Sequence, residues 1–225
     1  MFICIKEVKS KVISERTEDF YCKGGCLNFL VWQTEKLNEQ KMLNNKYQIH
    51  LSVAQQTIQK LDPFSRLNFK DLDKSGVEVE LAEFLGPHYD LQFNKPLIRG
   101  IISNETLNSY FYFDEDEISK NKIDFQLFLD KYNASYSWLN GYFIYAFMEP
   151  PYTMNIGTTI RQRGEYLLDF INYFFSDMDN IEIMKWSTDC SSFFDAGKEW
   201  WGTFYWTVYN PEKDWYIGIC GSTTD

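Results

Sequence analysis

The stretch GKEWWGTFYWTVYNPEKDWYIGICGSTTD, residues 197–225, decides the fold, because it has the pattern of a β-hairpin. Its central sequence Asn-Pro-Glu-Lys, at 210–213, suits a type I turn with proline in the second position. On both sides of this turn, apolar and aromatic residues alternate in the way that gives a strand two different faces. The stretch therefore predicts a C-terminal hairpin in an antiparallel sheet.

The alternation assigns the side chains of this hairpin to two faces. The first face has core composition: Trp200, Gly202, Phe204, Trp206, Val208, Trp215, Ile217 and Ile219. The second face carries Trp201, Tyr205 and Tyr209, whose rings combine a large apolar area with a polar tip. These rings suit a protein-binding surface or stacking on a sugar. They equally suit a sheet face covered by a long helix, and the sequence leaves these alternatives open.

Outward from the hairpin, the chain alternates between helical and strand patterns. Helices are predicted at 52–61, 123–133 and 158–177. Strands are predicted at 96–102, 109–113, 142–148 and 181–186. Ser52 and Gln55 have the spacing of a capping box, and the segment 142–148 is apolar at both alternating positions, as in a central strand. The order predicts an α+β fold: a largely antiparallel sheet with two to four helices packed on it.

Residues 1–41 differ in composition from the rest of the chain. They hold seven Lys and Arg, six Asp and Glu, and three of the five cysteines, whereas the whole chain has a net charge of -10. Such asymmetry is typical of an appended segment. The sequence predicts an N-terminal extension or small subdomain at 1–41, with Met42 as an alternative start, followed by a single α+β domain at 42–225.

The acidic composition disfavours several classes of partner. Phosphate backbones and anionic membranes are bound through Lys and Arg, which a chain of pI 4.8 has in deficit. No apolar run has the roughly 20 residues of a membrane span. We expect a cytosolic protein that binds neither nucleic acid nor membrane.

Metal and cofactor sites are also not indicated. The cysteine count is odd, and Cys22 and Cys26 lack the further ligands of a closed zinc site. The acidic run at 114–117 lacks the oxygen spacing of a calcium loop and predicts a solvated turn. Phosphate-binding loops, dinucleotide fingerprints and hydrolase motifs are missing from the sequence. We expect no metal and no cofactor.

Two groups of residues are candidates for chemistry. Four carboxylates, Glu149 and those of the loop 187–199, could serve a small-molecule hydrolase or transferase: Glu149, Asp189, Asp195 and Glu199. Cys190 in the same loop has no recognisable basic partner that would activate it as a nucleophile. Arg161 and Arg163, in the first turns of the helix at 158–177, could bind an anion, although ordinary capping by a preceding threonine explains the same pattern.

In bulk composition the chain resembles the small acidic bacterial proteins that inhibit toxins or bind basic partners. The amphipathic aromatic face in a chain of net charge -10 predicts a non-catalytic cytosolic module that binds another protein, and the resemblance implies an inhibitor or immunity type for a basic partner. The predicted contacts are Trp201, Tyr205 and Tyr209, with nearby acids. The alternatives are the carboxylate-dependent hydrolase or transferase, and a carbohydrate-binding module that stacks sugars on Trp201 and Tyr205. No feature of the sequence sets the oligomeric state.

Overall fold

A computed structural model describes residues 3–34, 39–99, 110–112, 142–199 and 201–223. The helices are α1 (Lys11–Cys22), α2 (Glu39–Leu61), α3 (Phe69–Ser75), α4 (Leu81–Leu85), α5 (Phe143–Met148) and α6 (Ile160–Phe175). The strands are β1 (Ile5–Glu7), β2 (Leu27–Thr34), β3 (Val77–Glu78), β4 (Tyr89–Asp90), β5 (Lys95–Arg99), β6 (Tyr110–Tyr112), β7 (Glu182–Lys185), β8 (Thr203–Asn210) and β9 (Trp215–Ser222). The predictions at 114–117, 123–133 and Trp200 lie outside the described residues.

The centre of the fold is a six-stranded sheet in the order β1-β2-β9-β8-β7-β3, in which every neighbouring pair is antiparallel. The predicted α+β class and C-terminal hairpin are therefore confirmed. Strands β4, β5 and β6 form a smaller antiparallel sheet. Among the described helices, none combines the length and the apolar character needed to cross a membrane.

The buried Asn210 fixes the turn between β8 and β9. Its side-chain oxygen accepts hydrogen bonds from the backbone N–H groups of Glu212, at 3.0 Å, and Lys213, at 3.3 Å. Its amide nitrogen donates to the carbonyl oxygen of Phe174 in α6, at 2.9 Å. One side chain thus shapes the hairpin turn and ties it to the C-terminal end of α6.

One face of the six-stranded sheet packs against α1, α4, α5 and α6 through an aromatic core. The predicted inward positions Phe204, Trp206, Val208, Ile217 and Ile219 are all at most 2% exposed on this face. Rings from the helices pack against the sheet, as where the ring of Phe84 in α4 lies 5.5 Å from that of Trp206 in β8. Burial of this apolar area is the main stabilisation of the fold.

The opposite face of the sheet is covered by α2. Tyr205, Thr207, Tyr216 and Cys220 are each at most 2% exposed beneath it. The approach is close at Gly218, where an added Cβ would lie 2.0 Å from the side-chain oxygen of Thr57 in α2. Glycine at this position therefore allows the helix and the sheet to meet.

Two local predictions are wrong. The segment 142–148, predicted as a strand, is the helix α5, and its buried rings Phe143 and Phe147 share one side at a spacing of four residues. A short segment that is apolar throughout has no periodicity to distinguish a buried helix from a buried strand. Ser52 does not cap a helix either, because α2 begins at Glu39; its hydroxyl donates to the carbonyl oxygen of Gln48 at 2.8 Å.

The N-terminal segment contributes to the central sheet. β1, α1 and β2 all lie within residues 1–41, and β2 pairs with β9 along six residues, from Leu27 to Trp32. The predicted boundary between residues 41 and 42 falls inside α2. The division of the chain at residue 41 and the alternative start at Met42 stay predictions.

Candidate functional site

The structure corrects the placement of Trp201, which was predicted to share a face with Tyr205 and Tyr209. Trp201 precedes β8 and is 4% exposed in the core on the α5 and α6 side, with its ring 4.7 Å from that of Phe204. Its indole N–H donates to the carbonyl oxygen of Glu149 at 2.9 Å. Gly202, with φ +125°, interrupts the strand alternation and turns Trp201 to the other side of the sheet.

Tyr205 does lie on the second face, but α2 and the loop 187–199 enclose it. It is 1% exposed, its ring is 5.2 Å from that of Phe194, and its hydroxyl has no hydrogen-bond partner among the described residues. Burial raises the pKa of Tyr205, and the neighbouring thiols of Cys220 and Cys190 raise it further. Trp201 and Tyr205 therefore provide no exposed platform for a sugar or for a partner.

Tyr209 is the member of the predicted aromatic face that reaches the surface. Its half-buried ring stacks on Tyr216 at 4.4 Å, and its hydroxyl donates to Asp214 at 3.3 Å. Burial raises the pKa of Tyr209 to about 12, with a further contribution from the Asp214 carboxylate. These contacts hold Tyr209 at the end of β8, next to the hairpin turn, and its role in binding stays a prediction.

Glu149 lies in a partly buried polar cluster that joins α5, α6 and β5. Its carboxylate is 3.2 Å from the guanidinium of Arg99, and Arg163 donates to the carbonyl oxygen of Arg99 at 2.8 Å. Burial raises the pKa of Glu149, and the positive charges of Arg99 and Arg163 counteract that shift. Burial also lowers the pKa of the neighbouring His88 to about 3, with the charge of Arg99 acting in the same direction. A carboxylate compensated in this way is typical of an internal ion pair.

The loop carboxylates do not join Glu149. Asp189 and Asp195, 84% and 69% exposed, both lie beside Lys198, at 2.7 Å and 3.5 Å, and Glu199 is exposed. Cys190, between them, is buried, and burial raises the pKa of its thiol to about 11. A neutral, enclosed thiol is unsuited to nucleophilic attack.

Two surface clefts of the described chain contain none of these carboxylates. One, of about 280 Å³, lies between α1 and α6 and is lined by Val12, Glu15, Arg16, Asp19, Tyr166, Asp169 and Phe170. The other, of about 970 Å³, lies beside β1 and is lined by Lys6, Glu7, Val8, Lys9, Gln33, Thr34 and Asp214. In neither cleft do the predicted catalytic groups converge.

Arg161 and Arg163 do not converge on one anion either. Arg163 is 6% exposed and points into the fold toward β5, whereas Arg161 is exposed, because residues two apart on a helix face different directions. Thr159 caps α6: its hydroxyl accepts from the backbone N–H of Gln162 at 3.1 Å, and the Gln162 side chain accepts from the N–H of Thr159 at 3.3 Å. This capping box occupies the helix N-terminus that was considered for an anion.

The structure brings together an acidic surface that the sequence analysis did not identify. We call it the acidic edge: Glu78, Glu80, Glu83, Asp177, Asp179 and Glu182. The two contributing segments, 77–83 and 177–185, are joined because β3 pairs with β7 and the N–H of Val79 donates to the carbonyl oxygen of Ile183 at 3.1 Å. About 100 residues separate these segments in sequence, so only the fold places their charges together.

Part of this charge is neutralised within the protein. Lys46 contacts Glu78 at 2.7 Å and Glu182 at 3.4 Å, and Lys185 lies 3.9 Å from Glu83. The other three carboxylates, Glu80, Asp177 and Asp179, are exposed and form no ion pair with a described residue. The edge therefore presents uncompensated negative charge to solvent.

Exposed apolar side chains border the acidic edge. Val77 in β3 is 59% exposed, and Leu91 and Phe93, in the turn between β4 and β5, are 43% and 57% exposed. Tyr89 connects this turn to the edge: its hydroxyl donates to Asn94 at 2.7 Å, and burial raises its pKa to about 12, with the charge of Asp179 contributing. Apolar groups beside charged groups are the composition of a protein interface.

No group of three or more His, Cys, Asp or Glu side chains within the described ranges is arranged to hold a metal ion. Comparison of the chain with known proteins finds no matching family model, no matching curated protein and no matching solved structure.

Proposed function

We propose that the protein is a non-catalytic cytosolic module that binds a basic protein through the acidic edge. The observation that carries the proposal is the pairing of β3 with β7, which joins two acidic segments of the chain; of their six carboxylates, Glu80, Asp177 and Asp179 form no ion pair with a described residue. Uncompensated charge of one sign accelerates association with a partner of the opposite sign.

Charge alone gives little affinity, and the neighbouring apolar side chains supply the second contribution. A largely exposed phenylalanine such as Phe93 can gain about 1.5–3 kcal/mol when a partner buries it. Leu91 and Val77 would add smaller apolar areas on either side of the charges. The expected partner surface therefore combines Lys or Arg with apolar side chains.

The experiment compares the wild-type protein with two variants, an edge variant and a control variant, that have the same net charge. The edge variant combines Glu80→Gln, Asp177→Asn and Asp179→Asn. The control variant neutralises three exposed acids on other surfaces, Glu18→Gln, Glu165→Gln and Glu212→Gln. Both variants change the net charge by the same amount, so long-range effects are matched. Asp177 also accepts hydrogen bonds at the end of α6, and for this reason its replacement is asparagine, which keeps an acceptor.

Partners captured by the wild-type protein are identified by mass spectrometry, purified, and titrated calorimetrically against all three proteins at low and at high salt. We expect the edge variant to bind at least about tenfold more weakly, equivalent to about 1.4 kcal/mol, with a smaller salt dependence. The control variant should bind like the wild type. Equal affinities for the edge variant and the wild type would overturn the proposal.

A further inference from the structure

The free side of β3 has the backbone geometry of a strand acceptor. Among the described strands, β3 stands at the end of the six-stranded sheet and pairs only with β7. Extended backbone continues on both sides of the strand, with φ and ψ of -66° and 122° at Gly76 and -72° and 156° at Glu80. Five consecutive residues, 76–80, thus form an extended edge, which is about the usual length of a strand.

The direction of the backbone groups follows from the pairing with β7. The N–H of Val79 donates to Ile183, so Val79, and with it Val77 two residues earlier, directs its backbone groups toward β7. In an antiparallel ladder the intervening residues direct theirs away from that neighbour. Gly76, Glu78 and Glu80 therefore face the outer side of the sheet.

Two of the outward backbone groups are used locally. The N–H of Gly76 lies beside the phenol oxygen of Tyr47, and the carbonyl oxygen of Glu80 accepts from the N–H of Phe84 at 3.0 Å. Four outward backbone groups form no hydrogen bond with β7 or with the other described segments. They are the carbonyl of Gly76, the N–H and the carbonyl of Glu78, and the N–H of Glu80. These four groups form the row with which an added strand pairs.

The side chains of the edge indicate what such a strand would carry. Glu78, 64% exposed, and Glu80 lie on the α2 side of the sheet, whereas Val77, 59% exposed, lies on the other side. Cross-strand neighbours interact directly, and opposite charges stabilise such pairs. An incoming strand with Lys or Arg at alternate positions would place its cations beside Glu78 and Glu80 and an apolar residue beside Val77.

We propose that the basic partner binds by adding an extended segment, with alternating basic and apolar residues, to the outer edge of β3. This inference rests on the proposed function and specifies its partner. A second copy of the chain paired β3 to β3 is disfavoured, because it would bring Glu78 and Glu80 of both copies against each other.

The test uses synthetic peptides of about six residues, the length of an ordinary strand. The probe alternates lysine and valine. One control replaces lysine with glutamate, and the other keeps the lysines but is N-methylated at alternate residues, so that it has the same charge and cannot complete the ladder. Amide hydrogen exchange by NMR reads the outcome at single residues.

We expect the lysine peptide to slow exchange of the Glu78 and Glu80 amides by at least about tenfold at saturation, while the Val77 amide, already bonded to β7, changes little. The glutamate peptide and the N-methylated peptide should leave the exchange unchanged. Equal binding of the methylated and unmethylated lysine peptides would overturn the inference, as would a concentration-dependent increase in particle size that indicates self-association at the same edge.

A pair of variants separates this inference from the proposed function. Glu78→Pro removes the outward N–H together with the charge, whereas Glu78→Gln removes the charge alone. Strand addition predicts that the proline variant binds the peptide at least about tenfold more weakly than the glutamine variant. Suppose that Glu78→Pro and Glu78→Gln bind the peptide equally, while the edge variant with Glu80, Asp177 and Asp179 replaced still loses its partner. Strand addition is then wrong and the proposed function stands. If the proline variant does not fold, the N-methylated peptide on the wild-type protein gives the decision.

Discussion

We expect the protein to lose stability steeply in mild acid because of His50. This residue of α2 is fully buried; its Nδ1 is 2.8 Å from the hydroxyl of Thr207 in β8, and its Nε2 has no hydrogen-bond partner among the described residues. Burial lowers the pKa of His50 to about 3, and the positive charge of Lys46 lowers it further. The ordinary value in an unfolded chain is about 6.5.

The sign of the effect follows from the number of protons bound in each state. Between pH 6.5 and 3 the unfolded state binds a proton at His50 and the folded state does not, so the free energy of unfolding rises with pH. The contribution of His50 is fully present above pH 6.5 and decreases as the pH falls toward 3. Between pH 7.5 and pH 5.0 the loss amounts to about 2 kcal/mol for this one side chain.

His50→Asn tests this magnitude, because asparagine keeps a polar atom near Thr207 and does not titrate. Urea unfolding of the wild type and the variant at the two pH values gives the change in the free energy of unfolding for each. The variant should lose about 2 kcal/mol less than the wild type between pH 7.5 and 5.0, whatever its stability at neutral pH. An unchanged pH dependence would refute the reasoning. His88, whose pKa burial also lowers to about 3, provides a second site for the same measurement.

Three further predictions concern stability. Gly218→Ala should destabilise the protein by about 1–3 kcal/mol, because the added Cβ would lie 2.0 Å from the side-chain oxygen of Thr57. Adding Thr57→Ser to this variant should recover little stability, because serine keeps the clashing oxygen. Urea unfolding measures the free energy of unfolding of both variants. Thr159→Ala should cost about 1 kcal/mol by removing the capping box of α6, again seen in the free energy of unfolding. A chain beginning at Met42 lacks β1, α1 and β2, so it should show no cooperative thermal transition by circular dichroism; a native-like transition would contradict the role assigned to β2.

The hairpin was the most predictable part of the fold. Its alternation of period two assigned Phe204, Trp206, Ile217 and Ile219 to the core correctly, because strand side chains must point to opposite faces. The prediction for Trp201 was wrong because one glycine with positive φ shifted the phase at the start of the strand. Gly202 itself was visible in the sequence as a signal of such an interruption.

The covering of the second face was less predictable. The pattern at 52–61 indicated a helix, but no local pattern states which sheet face a helix will cover. The absence of a side chain at Gly218, which pairs with Thr207 of β8, was a signal of close approach, and the structure shows that Thr57 fills that space. The acidic edge was still harder to predict from the sequence, because its two segments become adjacent only when β3 pairs with β7.

The distribution of aromatic residues explains where binding can occur on this fold. A sheet with helices on both faces uses its large rings internally, so the high aromatic content that suggested a binding face instead forms two cores. Within the described part of the chain, the sheet edge at β3 is one surface that the two helical layers leave uncovered. At β3 the edge combines unused backbone groups, exposed Val77 and uncompensated carboxylates, and these three features favour the same kind of partner: an extended basic segment. Lys46 of α2 connects this edge to the interior, because it contacts Glu78 and Glu182 and its charge lowers the pKa of His50.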